Sequence, residues 1–341
     1  MEGPGDINHN THTLRHFTEQ EIAQLECNGN RYVPDRTDTR AGRKWKGVWL
    51  VEENVDPTSD GSAATVTATT LARIHNCVFC GTCVVSQLAG AAHYVDDVPF
   101  PPGLYDSTIA NSVLHGNVLV SRTTLVSQCV VGERAAIVSC GNICMVSASG
   151  AEGRNKDTTE RSPSNGKFCC SFANGQVIPV VVETGERSVA VFAEMTLEQA
   201  AKIAGNRRAI VQDAWNSKVK HYVSTVATNN RTVIGKFAQL LNCPRVQNAF
   251  VGSGAYIAAS TIIHATILSE PVEASRTIID QGCVVEDSIV QWGCHCSTMA
   301  VVSGSFMCAT SSADRHAKLI NTILGPSSGV SEGEMTSCLV G

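Results

Sequence analysis

VLHGNV LVSRTT LVSQCV VGERAA IVSCGN ICMVSA, residues Val113 to Ala148, divides into six hexads. The first position of each is aliphatic: Val113, Leu119, Leu125, Val131, Ile137 and Ile143. The fifth is small or short and polar: Asn117, Thr123, Cys129, Ala135, Gly141 and Ser147. A helix repeats about every 3.6 residues and a strand about every 2, so neither alone gives a period of six. A chain coiling through short flat strands joined by tight corners does. Each hexad then places one aliphatic inside, and the small residue sits where the corner has no room for bulk. The expectation is an all-β fold, a parallel β-helix.

Working outward, Thr18 and Glu21 form a capping box ahead of Ile22 and Leu25, predicting a short helix that Asn28-Gly29-Asn30 ends. Residues 1–65 read as a polar tail, this helix and a connecting region with one apolar patch at Trp45 to Val51, together a cap over the end of the coil. The first part of the β-helix spans 66–195, with Ile74, Val78 and Val84 marking early strands. Two excursions interrupt it. His93 to Tyr105 carries Pro99-Phe100-Pro101-Pro102-Gly103 and reads as an outthrown loop, because proline cannot donate to a ladder. Ser149 to Lys167 is rich in glycine, serine and charge.

Over 196–230 the period becomes helical. Leu197, Ala200, Ala201 and Ala204 follow a Thr196–Gln199 capping box, Gly205-Asn206 breaks the chain, and Val211, Trp215, Val219, Tyr222, Val223 and Val226 line one face of a second helix. The expectation is a helical hairpin inserted into the coil. Hexads resume over 231–341 at Val251, Ile257, Ile263, Ile279 and Val285, and the chain stops at Leu339-Val340-Gly341 in mid-pattern. That predicts a coil truncated at its C-terminal end, or one covered there by a partner.

Hydrophobic residues make up 43% of the 341, yet aromatics are only 5% and 28 are glycine, which suits a thin aliphatic core. A net charge of −5 with no long basic run argues against nucleic-acid binding by phosphate neutralisation. No apolar run approaches the roughly 18 residues of a membrane span, and the polar N-terminus lacks the order of a signal peptide. The expected location is cytoplasmic. Fifteen cysteines, an odd count without a secretion signal, disfavour a disulfide framework. Cys129 and Cys283 fall on repeat positions held elsewhere by small residues, where a thiol acts as a small hydrophobe. Cys77-x-x-Cys80-x-x-Cys83, near His75, has metal-like spacing, but Cys80 is expected to face away from the other two. In Cys294-His295-Cys296, alternation places the histidine opposite both thiols. No metal site is expected.

Val131-Gly132-Glu133-Arg134-Ala135-Ala136 fits a pattern of aliphatic, small-or-acidic, two free positions, small, free. It resembles the repeat of the hexapeptide-repeat transferase superfamily, and that resemblance implies a left-handed parallel β-helix, usually trimeric, acting in acyl transfer or on sugar nucleotides. Glu183-Thr184-Gly185-Glu186-Arg187, Gln291-Trp292-Gly293, Arg315-His316, Gly325-Pro326 and Glu332-Gly333-Glu334 resemble, more narrowly, an uncharacterised family of long left-handed β-helix proteins. The resemblance runs from about Thr18 to the end. It implies two glycines where this chain has Gly185-Glu186, and a histidine- and glycine-rich segment beyond residue 341.

The superfamily's chemistry implies a histidine general base with a pKa near 7, for which His115, His264, His295 and His316 are candidates. His316 is favoured because Arg315 offers a cation and Asp314 an orienting carboxylate, whereas His264 and His115 read as ordinary coil residues. Glu183 is the second catalytic candidate, in a loop where the coil leaves for the helices. Thr184, Arg187, Arg315, Glu332 and Glu334 are the substrate-binding candidates. The expected ligand is a small molecule, an acyl-CoA or a nucleotide sugar, bound by a homo-oligomer without nucleic acid or membrane. The competing expectation is a non-catalytic β-helical scaffold or assembly module.

Overall fold

The computed structural model describes residues 12–34, 45, 47–53, 63–95, 97–146, 174–180, 187–206, 208–226 and 231–341. Three long sheets of twelve, ten and eleven strands run along the molecule. The chain visits them in turn: Val113–Leu114 lies in the first, Leu119–Ser121 in the second and Leu125–Ser127 in the third, before Cys129–Val131 returns to the first. Neighbours in each sheet pair parallel in register, as Leu114 with Val131, Val120 with Ile137 and Val126 with Ile143. This is a parallel β-helix.

The interior is three stacked columns of aliphatic side chains. Leu114, Val120, Val126, Val131, Ile137 and Ile143 all have 0% exposure. Their spacing corrects the expected phase. The step from Val126 to Val131 is five residues where the others are six, so these coils contain seventeen residues, the separation of the Ser112–Cys129 corner bond. In the first coil of the stretch the inward residue is therefore the second of each hexad, and Val113 and Leu125 are half-exposed. A one-residue slip moves a strand residue to the opposite face.

The corners follow the reading closely. Thr123, Cys129 and Ala135 are buried, and a Cβ on Gly141 would stand 2.2 Å from the Pro244 carbonyl oxygen. Between the third and first sheets, Cys83, Ser112, Cys129, Thr232, Ser288, Ser305 and Thr322 occupy equivalent positions. Their side chains bond across coils: Ser305 Oγ donates to Leu319 O at 3.1 Å and accepts from Thr322 N at 3.0 Å. Cysteine alternates with serine and threonine because each is small enough for the corner and can donate to a carbonyl. Cys77, Cys140, Cys243 and Cys283 are likewise buried. Burial pushes the Cys77 thiol up to about 12.

At the N-terminal end, helix α1 (Glu19–Cys27) carries the predicted capping box, with Thr18 N donating to Glu21 Oε2 at 2.7 Å. Leu25, Phe17 and Trp45 join the coil's own core. Buried Asn30 ties this end on, donating to Leu25 O and Ile74 O and accepting from Cys77 N. A second helix, α2 (Ala63–Leu71), spans the boundary expected between the connecting region and the first coil, so residues 66–71 are helix and not strand.

The expected 93–105 loop is instead an antiparallel hairpin, His93–Val95 with Val98–Phe100. It lies on the outer face of the second sheet, where Val95 joins Leu119, Val138 and Leu241 in a small core. Residues 174–192, read as coil with loops, contain an antiparallel pair, Asn174–Pro179 with Ser188–Phe192. Helices α3 (Leu197–Ala204) and α4 (Ala209–Val226) follow, the first with its Thr196–Gln199 capping box. On α4, Val219 is buried and Trp215 Nε1 donates to Ala190 O at 2.9 Å, as the predicted apolar face requires. The Ser149–Lys167 excursion falls outside the described residues.

Candidate functional site

Residues 174–180 and 187–204 are held against the outer face of the first sheet. Ile289, Phe306 and Ile323 point outward from the coil yet are 0% exposed, because Ile178, Val180, Val189, Val191, Met195 and Ala200 cover them. Gln291 fastens this layer. Its Nε2 donates to Ala193 O and Met195 O, both at 2.9 Å, while its Oε1 accepts from Ala309 N at 3.1 Å. In the sequence Gln291 stands within Gln291-Trp292-Gly293, and nothing local marks it as a clamp. On the same layer Tyr222 donates to Glu194 Oε2 at 2.7 Å, and burial together with that carboxylate pushes the phenol up to about 12.

Of the site candidates, Glu183 and Thr184 lie outside the described residues. Arg187 stands at the end of the antiparallel pair, where its carbonyl accepts from Val180 N at 2.9 Å. His316 and Arg315 occupy a corner between the second and third sheets with φ of 63° and 48°, and both are exposed. Gln281, Thr298, Arg315 and Glu332 recur there every seventeen residues with φ of 55°, 52°, 48° and 55°. These positive values come from the tight corner, which puts a non-glycine residue in the left-handed region. Thr298 bonds to Gln281 at 3.0 Å and Arg315 pairs with Glu332 at 3.6 Å. Glu334 pairs with Lys318 at 3.8 Å on the outer face of the third sheet. Such exposed pairs contribute little to stability.

Arg315, His316 and Glu332 thus share one ridge, Glu334 pairs on the neighbouring sheet face, and Arg187 belongs to the covering layer. No hydrogen bond or ion pair joins the His316 ring to Asp314 among the described residues. Among the described residues, the shorter of two histidine–carboxylate pairs is that of His264, whose Nδ1 is 3.3 Å from Asp287 Oδ1 on the next coil. Both stand at corners with positive φ, and their side chains are 32% and 36% exposed. The register that makes them neighbours includes a longer coil holding Glu270-Pro271, so hexad counting did not reveal it. His295 Nε2 is 4.0 Å from Asp280 Oδ1, and His93 is buried with Nε2 2.7 Å from Asn117 O. A shallow open groove among Asn76, Asp106, Arg122 and Thr124 lies on the second-to-third-sheet corner. Among the described residues no group of three or more His, Cys, Asp or Glu is placed to hold a metal ion.

Residues 50–341 match the family described as Domain of unknown function (DUF4954). The chain belongs to the DUF4954 family. No curated protein matches it. The match covers nearly all the coils of this DUF4954 chain, together with the layer fastened by Gln291. Among its described residues, no helix is long and apolar enough to cross a membrane.

Proposed function

We propose that this DUF4954 chain is a β-helical scaffold, a rigid rod whose outer faces hold other polypeptide segments in place. The observation that carries the reading is the second core outside the first sheet, where Ile289, Phe306 and Ile323 are fully buried beneath an added layer. An outer coil face built from large apolar residues is a docking platform, and Gln291 adds two directional bonds to what sits on it while a third anchors its amide to the coil. The regular corners support the same reading, since they account for the positions of Arg315, His316 and Glu332 without chemistry. We also read the coil as left-handed and of hexapeptide-repeat type, the two helices as an inserted hairpin, and the protein as a cytoplasmic homo-oligomer.

A second reading, acyl or sugar-nucleotide transfer, is favoured by the His264–Asp287 pair. A carboxylate on Nδ1 fixes the ring tautomer and orients Nε2, the arrangement a general base needs. Thermal-shift titration with acyl-CoAs and nucleotide sugars separates the two. The scaffold reading expects no saturable shift. A saturable shift, with turnover lost in His264→Ala, establishes transfer instead.

A further inference from the structure

We propose that Cys140 and Cys243 form a reversible disulfide that staples the two parts of the coil together. They occupy the same corner, between the second and third sheets, on successive coils. The register pairs Val138 with Leu241 before the corner and Asn142 with Arg245 after it, so the two cysteines face each other. Gly141 N donates to Cys243 O at 2.8 Å across the same step. Facing residues of neighbouring strands stand about 4.7–4.9 Å apart, inside the roughly 4.4–6.8 Å between Cα atoms that a disulfide spans.

The pair differs from the other corner cysteines. Cys77 faces Ser107, Cys129 faces Ser112 and Thr232, and Cys283 faces Ser260. Those neighbours leave each thiol as a small corner residue and nothing more. Here two thiols meet, and a hydrogen bond joins them. The donating Cys243 thiol holds Cys140 below the ordinary thiol range despite burial, and Cys243 is pushed up in return. Cys140 is thus the nucleophile of the pair and Cys243 the resolving thiol. Their other bonds, to the carbonyls of Val138, Leu240, Leu241 and Ile257, are contacts of 3.4–3.5 Å from weak donors, so oxidation gives up little.

The place in the chain sets what the bond does. Cys140 Sγ reaches Leu240 O across 100 residues, because the excursion carrying α3 and α4 separates these neighbouring coils. A cross-link closing a loop this long removes more freedom from the unfolded chain than one within an ordinary coil. The inference rests on this corner alone and holds for either reading of the protein's function.

The oxidant is a low-molecular-weight disulfide such as oxidised glutathione. The Cys140 thiolate attacks one of its sulfurs, forming a mixed disulfide and releasing one thiol. The Cys243 thiolate then attacks the Cys140 sulfur and releases the second. Two protein thiols are oxidised, the small disulfide is reduced to two thiols, and the two protons leave with them. Both cysteines are buried, at 2% and 0% exposure, so the exchange proceeds through local opening of these coils. A reducing thiol pool reverses it.

The test incubates the reduced full chain with oxidised glutathione, just below its melting temperature, until exposed Cys27 is glutathionylated. Free thiols are then blocked and peptides mapped by mass spectrometry without reduction. The expected result is a Cys140–Cys243 linked peptide, a melting temperature raised by about 5 °C, and reversal of both by dithiothreitol. Cys140→Ser, at a corner that takes serine elsewhere, should fold by circular dichroism and show no rise with the oxidant. Absence of the linked peptide overturns the proposal. A linked peptide without a higher melting temperature, or an equal rise in Cys140→Ser, overturns it too.

Discussion

Gln291 Nε2 lies 2.9 Å from the carbonyl oxygen of Ala193, joining a coil residue to a segment 98 positions earlier in the chain. With the bonds to Met195 O and from Ala309 N, the amide uses both ends. Gln291→Ala strands these buried backbone groups, at about 1–3 kcal/mol for each group left unsatisfied. The expected outcome is a loss of about 3 kcal/mol in denaturant unfolding and faster proteolytic cleavage within 174–226.

Phe306 belongs to the second core and has 0% exposure, although it faces away from the coil's interior. Phe306→Ala is expected to destabilise by about 3–5 kcal/mol, the range for a buried aromatic. Ile210 on α4 is 77% exposed, and Ile210→Ala should change stability by less than about 0.5 kcal/mol. Equal losses in thermal unfolding would mean the outer layer does not pack as described.

Gly141 turns a corner where an added Cβ would meet the Pro244 carbonyl oxygen at 2.2 Å, with backbone on both sides of the clash. Gly141→Ala should cost about 1–3 kcal/mol, as overpacking does. At Gly116 the nearest atom to an added Cβ is 3.8 Å away, so Gly116→Ala serves as the tolerated control in the same melting experiment.

His93 is buried, and burial lowers its pKa from the usual value near 6.5, with the bond to Asn117 O opposing that shift. The unfolded chain therefore binds the proton more readily. The stability contributed by the neutral ring is present above about pH 6.5 and is lost as pH falls through the unfolded and then the folded pKa. His93→Gln should flatten the decline in melting temperature between about pH 7 and 5, measured against the unsubstituted chain.

The Cys77 and Cys308 thiols, pushed up to about 12 by burial, should stay unlabelled by a thiol reagent at pH 8, while exposed Cys27 reacts promptly. The sign for stability is the reverse of that for His93. The neutral thiols' contribution is full below about pH 9 and is lost as pH rises toward 12. Mass spectrometry of the labelled native protein reads out the first expectation, and alkaline melting the second.

The coil was legible because its period is carried by many residues, but its phase was not. Val113-Leu114, Leu119-Val120 and Leu125-Val126 are adjacent aliphatic pairs, so either partner satisfies the hexad, and only burial shows which one points inward. The capping boxes at Thr18 and Thr196 were readable because their determinants lie within four residues. The His264–Asp287 pair, the Gln291 clamp and the two added hairpins depend on which coils become neighbours, and that depends on loop lengths no local pattern encodes. For the same reason Arg315 and Glu332, quoted for their chemistry, turn out to be successive rungs of one corner.

The long excursion before Thr232 also bears on how the rod assembles. Many successive coils meet across seventeen residues, as in the Ser112–Cys129 bond, but Val146 N meets Asn248 Oδ1 across 102. Closing that longer loop costs about 1.6 kcal/mol more chain entropy than closing an ordinary coil. In a repeat protein held by nearest-neighbour contacts, such a seam interrupts propagation. Two blocks, one ending near Cys144 and one beginning near Thr232, can therefore each nucleate and grow before they zip together. The covering layer touches Ile289, Phe306 and Ile323, several coils beyond the seam, and so completes only after the second block has formed.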